Sequence, residues 1–187
     1  MFRPKSLAIA AGLCALALAA LLPFSAHGGA NHHSHGKLLL AFHTMFGVEG
    51  AFIEEENPLL GIAGDELPWE IAAARGKLDR DGNLSLVVKG VVFKDDPSVP
   101  PELRGINDET EFRAAVSCTT EENEQVVQRN LFSPGFPATP EGNSAIRTHF
   151  DLPDPCLAPA VFVLAGSEDA WFAVTGFETE EEGGEGD

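Results

Sequence analysis

Apolar and polar positions alternate over most of this chain, and that period of two predicts β-strands. The cleanest run is 145–152, with Ile146, Thr148, Phe150 and Leu152 on one side and Arg147, His149 and Asp151 on the other. Residues 112–118 alternate too, with Phe112, Ala114, Val116 and Cys118 sharing a face and Arg113, Ala115 and Ser117 sharing the other. Apolar stretches at 38–44, 69–78, 84–93, 125–132, 160–165 and 170–177 complete the set. Trp171 and Phe172 fall on opposite faces of the last of these. Asp79-Arg80-Asp81-Gly82-Asn83 separates two strand segments and reads as a hairpin turn. Pro97, Pro100 and Pro101 open a loop that runs to about Asp108. A short helix over 121–128 is the lesser reading of that stretch, its acids suiting a helix N-terminus. The expected fold is all-β: one antiparallel sandwich or barrel-like domain of seven or eight strands over 38–177.

The two ends break this pattern. Arg3 and Lys5 precede an unbroken apolar run from Leu7 to Leu22, Pro23 stops it, and small residues follow to Ala30. That order is the order of a secretory signal peptide, here 1–28 with cleavage near 28–30. A spanning helix needs about 20 apolar residues and this run has 16, so no membrane span is expected after cleavage. Residues 29–37 lack apolar periodicity and read as a flexible His-rich segment. Residues 178–187 carry six acids and three glycines and read as a disordered acidic tail.

Charge narrows the partners. Without 1–28 the chain has 10 basic and 29 acidic residues, a net charge of −19. A surface that acidic is expected to repel nucleic acid and anionic lipid headgroups. The acidic runs Glu54-Glu55-Glu56 and Glu121-Glu122 read as solvated surface, with a bound cation or sugar as the alternative.

Removal of 1–28 takes Cys14 with it and leaves Cys118 and Cys156. An extracytoplasmic compartment permits their pairing, and their wide spacing is unlike a redox Cys-x-x-Cys. A structural disulfide is expected. It would tie the Leu-Pro-Asp-Pro-Cys-Leu-Ala-Pro connection to the core face of the 112–118 strand.

The one constellation suited to metal chemistry is His32, His33 and His35, with His27 and His43 close in sequence. Imidazoles in such density suit Cu, Ni or Zn. Cleavage after Gly29 or Ala30 would place a histidine third from the new terminus, where amine, amides and imidazole form a square-planar site. Against this, a tract of this kind lacks groups that orient its ligands.

Catalytic signatures are absent: no Gly-x-Ser-x-Gly, no His-Glu-x-x-His and no phosphate loop occur. The Asp79–Asn83 run lacks the Gly and Glu spacing of a calcium loop. Asn83-Leu84-Ser85 is a glycosylation sequon, relevant only in a eukaryotic secretory route. His149 is the one histidine of the body beyond residue 43, and a hydrolase would need Ser144 or Ser167 to meet it in space.

Three stretches carry a resemblance: Leu67-Pro68-Trp69-Glu70-Ile71, Gly76-Lys77-Leu78-Asp79 with Asp81-Gly82-Asn83-Leu84, and 112–118. So do Leu152-Pro153-Asp154-Pro155-Cys156-Leu157-Ala158-Pro159 and Trp171-Phe172-Ala173-Val174-Thr175-Gly176. In these the chain resembles a group of small secreted bacterial all-β proteins without assigned activity. The resemblance implies a disulfide-stapled β domain of a bacterial envelope or exterior, and carries over no functional residue.

These readings converge on a secreted or periplasmic, non-catalytic binding or structural module. Its partner, a protein or a surface ligand, is expected at loops 49–68 or 95–108, because sandwiches present loops at their ends. The alternatives are a Cu/Ni/Zn-binding protein using the His tract and a hydrolase built around His149.

Overall fold

The computed structural model describes residues 36–54 and 56–176. The signal segment, His32, His33 and His35, and the acidic tail lie outside the described residues, so those expectations are not addressed by the fold. The described residues form an antiparallel sandwich with no α-helix among them, and hence no helix long and apolar enough to cross a membrane.

One sheet, here sheet A, has the order β1(Leu38–Phe42), β4(Ala73–Asp79), β5(Asn83–Lys89), β10(Ser144–His149). Its registers line up Ala74 with Val88 and Ser144, Gly76 with Leu86 and Ile146, and Leu78 with Leu84 and Thr148. These rows face inward, and every intervening residue from Ala73 to Lys77 and from Asn83 to Lys89 is exposed. Phe42 pairs with Gly76, and its ring lies over that glycine: a Cβ there would fall 2.1 Å from Phe42 Cζ. The missing side chain is what lets a ring from the edge strand fill the core at this row.

Sheet B has the order β2(Met45–Gly47), β12(Trp171–Thr175), β11(Leu157–Ala165), β7(Glu111–Glu122), β8(Gln125–Phe132), and β9(Phe136–Pro137) also pairs with β7. Its central strands are buried on both faces. Phe112, Ala114, Val116 and Cys118 point into the sandwich. On the opposite face Ala115 pairs with Phe162 and Arg113 with Leu164, which pairs in turn with Trp171. The chain from Val48 to Gly64 covers that second face. Phe52 lies 6.4 Å from the Trp171 ring, Ile62 is buried, and Gly64 bridges Trp171. A small ribbon, β3(Trp69–Glu70) with β6(Val92–Phe93), closes the sandwich. Within it Trp69 stacks on Phe172 at 3.8 Å and meets Phe93 at 4.2 Å.

Seven or eight strands were expected and twelve are present among the described residues. Three of the additional strands come from breaks inside apolar runs, and β9 lies outside all of the expected runs. The 38–44 run leaves sheet A after Phe42 and its continuation joins sheet B as β2. The 69–78 run divides into β3 and β4. The 84–93 run divides at Gly90, where φ is 64° and the Val91 amide bonds the Gly142 carbonyl. Two-residue ladders are too short to show a period. The helix weighed for 121–128 does not form: β7 continues to Glu122 and β8 starts at Gln125, with Asn123 and Glu124 both at positive φ in a two-residue hairpin.

The predicted disulfide forms between Cys118 on β7 and Cys156, just before β11, with Cα atoms 5.0 Å apart. It pins the Pro-rich crossover from sheet A to sheet B. Reduction, or Cys118→Ala with Cys156→Ala, is expected to lower the unfolding free energy by about 3–4 kcal/mol for a closed loop of 38 residues; urea denaturation with and without reductant measures it. A second expectation concerns the hairpin turn. Gly82 has φ 87°, and a Cβ there would lie 1.9 Å from the Phe150 carbonyl oxygen. Gly105, at φ 73°, faces open space. Gly105→Ala should cost about 1 kcal/mol, and Gly82→Ala clearly more, read from the same denaturation midpoints.

Candidate functional site

The segment that covers sheet B also builds one wall of a wide cleft. Leu59 and Ile62 bond each other through both backbone pairs at 3.0 Å. Leu60 and Gly61 between them take positive φ, so the chain reverses in two residues. This tip is fastened to sheet B from outside. The Asn130 amide donates to the Leu60 carbonyl at 3.0 Å, and the Ser117 hydroxyl, itself bonded by Gln128 Nε2 at 2.6 Å, donates to Asn130 Oδ1. The base of the segment is fastened by Asp65. Its Oδ2 accepts the Trp69 indole N–H at 2.7 Å, and its amide donates to the Trp171 carbonyl at 3.2 Å.

Between this segment and the turn after β11 lies a cleft of about 620 Å³. Its charged lining is entirely acidic: Glu54, Glu56, Glu66, Glu168 and Asp169, with Phe132 beside them. Asp169 is ion-paired with Arg113 at 2.8 Å, and the Arg113 guanidinium sits 5.6 Å from the centre of the Phe132 ring. Among the described residues the other four carboxylates have no cationic partner. Glu168 is held above the usual carboxylate range, first by burial and then by repulsion from Asp65, Glu66 and Glu109. The carboxylates are spread along the cleft: among the described residues no three His, Cys, Asp or Glu converge as a metal ion would need.

No family model, curated protein or solved structure matches this chain.

The structure separates Ser144 from His149 along β10. His149 is exposed at the end of β10, beside Asn83 Oδ1 at 3.4 Å and Asp151 at 3.6 Å. Ser144 is at the far end of the same strand, buried, and donates to the Pro137 carbonyl at 3.0 Å. Five residues of strand put it about 17 Å from His149. Ser167 donates to Glu109 at 3.0 Å. The Asp79–Asn83 run is the expected turn. Burial disfavours the Asp79 charge, but donation by the Asn83 side chain and amide and the Asp81 amide holds its carboxyl below the usual value. His32, His33 and His35 lie outside the described residues.

The loop at 49–68 was marked for binding from sequence, and it does line the cleft. Glu168, Asp169 and Phe132 were missed, because no local pattern links them to Glu54; only the packing of a covering segment on sheet B joins them.

Asp65 offers a test of how this segment is held. Burial raises its carboxyl, and the hydrogen bonds from Trp69, Leu67 and Glu66 offset this only in part. The folded chain therefore holds the Asp65 proton more tightly than the unfolded chain. That stabilisation is full below the unfolded value near 3.8 and is lost as pH rises through the folded value. Asp65→Asn keeps an acceptor for the indole and removes the titration. Its stability relative to wild type should increase from about pH 4 to about pH 7, as read by urea midpoints across that range.

Proposed function

We propose that this chain is an extracytoplasmic, non-catalytic binding module that takes a basic peptide segment in the cleft between 54–66 and 168–170. The extracytoplasmic assignment is supported by the signal-like start and by the disulfide. The observation that carries the ligand class is the cleft itself. Four carboxylates without cationic partners among the described residues line a space large enough for side chains, and an aromatic ring that already receives a guanidinium lies at its edge. Their spread suits several cationic groups on one chain rather than a single ion. Burial first, and then repulsion from neighbouring acids, hold Glu168 raised, so a cation arriving there also relieves that repulsion.

The test is calorimetric titration of the full secreted chain with a short oligolysine. Binding is expected at one site per chain. Glu54→Gln with Glu66→Gln and Glu168→Gln should weaken it by about tenfold or more, the scale of losing several close charge pairs. Glu102→Gln with Glu121→Gln and Glu124→Gln changes net charge equally and should retain the affinity. Equal weakening by both triplets would reduce the effect to net charge and overturn the proposal.

A further inference from the structure

The cations of this acidic chain are sorted by the fold. Ten Lys and Arg lie beyond residue 28. Lys94, Arg104, Arg113 and Arg129 form ion pairs with Glu49, Asp95, Asp169 and Glu122. Lys37, Arg75, Lys77, Arg80, Lys89 and Arg147 have no ion pair among the described residues. All six belong to sheet A, to the residue leading into it or to its hairpin turn.

Four of them share its outer face. Lys89 stands opposite Ala73, Arg75 opposite Val87, and Lys77 opposite Ser85, which is opposite Arg147. Each is exposed, and no acidic residue occupies the outward positions of these three rows. With strands about 4.8 Å apart and same-face residues about 7 Å apart, the four cations span roughly 15 Å. Lys77 and Arg147 flank the small Ser85, and there the face dips into a groove of about 560 Å³ that runs on past Asn83 and Thr148 to Leu38 and, at its turn end, the carboxylate of Asp79. Acids return at the turn end, with Asp79, Asp81 and Asp151, and Glu141 stands in the turn before β10 at the other end.

The geometry points to an anion-binding face, and we infer that it takes a linear acidic glycan laid across β4, β5 and β10. The chemistry of the face selects this occupant. Protein interfaces centre on apolar or aromatic anchors, and here Val87 is the one large apolar side chain in the three rows. Single-stranded nucleic acid is held by stacking on aromatic rings, and these rows contain none. A flat anionic membrane would press its charge against the acids of the turn end as well as the cations. A thin polymer can lie along the three rows from Lys89 to Arg147 and stop short of the turn end, using the cations for its acidic groups and Ser85 for a hydroxyl. The overall charge of the chain does not prevent this: the Debye length is about 8 Å at physiological ionic strength, so acids elsewhere are screened while the four local cations are not.

The experiment is titration of the full secreted chain with an oligogalacturonate, with a maltooligosaccharide of equal length as the uncharged comparison. The acidic oligomer should bind and the neutral one should not, and affinity should fall on the order of tenfold between about 50 and 200 mM salt. Arg75→Gln with Lys77→Gln and Arg147→Gln should weaken binding by about tenfold or more while leaving the circular dichroism unchanged. The three single substitutions, each expected to weaken binding severalfold, serve if the triple variant misfolds. No binding by the wild-type chain, undiminished binding by these variants, or tighter binding of oligothymidylate or phosphatidylglycerol vesicles would overturn the inference.

Discussion

The organisation of this protein depends on one constraint: the central strands of sheet B are apolar on both faces. Phe112, Val116, Val163 and Phe172 point one way, while Phe162, Leu164 and Trp171 point the other. A sheet of that kind must be covered twice to bury its apolar surface. Sheet A covers the first face. No second sheet is available for the other, so the Val48–Gly64 segment lies across it, held by Asn130 above and by Asp65 and Trp69 below. Trp69 belongs to both solutions. It stacks on Phe172 within the core and donates its indole N–H to the carboxylate at the base of the cover.

The two surfaces of functional interest follow from that arrangement. The covering segment is irregular and meets the turn after β11, and the seam between them is the acidic cleft. Sheet A needs only one covered face, so its outer positions are exposed and mostly polar, with Ala73, Val87 and Ala145 the apolar ones. Five acids line the seam, and the cations without an ion pair among the described residues lie on or beside sheet A. The net charge of −17 for the whole chain is thus a poor description of either surface. What a partner meets within a Debye length is local, and locally the signs are opposite.

Much of the fold was legible because strand periodicity is a local signal. The inward set Leu84, Leu86, Val88 and the turn at Gly82 could be read directly from alternation and from Asp-Gly. The Cys118–Cys156 bridge could be read because only two cysteines lie beyond the signal-like segment. The corner after Phe42, the break at Gly90 and the two-residue ladders could not, since each depends on a distant partner such as Gly142 or Thr175. The cleft was half legible: the 49–68 loop stood out by its composition, while Phe132, Glu168 and Asp169 reach it from other parts of the chain. The separation of Ser144 from His149 was invisible for the same reason, since parity along a strand shows which face a residue takes but not which neighbours it meets there.

The sequence by itself determined the class of structure, the positions of most strands, the disulfide and the overall acidity. Those properties depend on residue type, on a period of two and on the count of cysteines and charges, all of which are local or additive. Tertiary structure alone decided that sheet B would be covered on both faces, and that the covering segment would meet the β11–β12 turn in an acidic cleft. It also decided that Arg75, Lys77, Lys89 and Arg147 would share one exposed face. Register between strands made those decisions, because pairing sets which residues separated by tens of positions stand side by side.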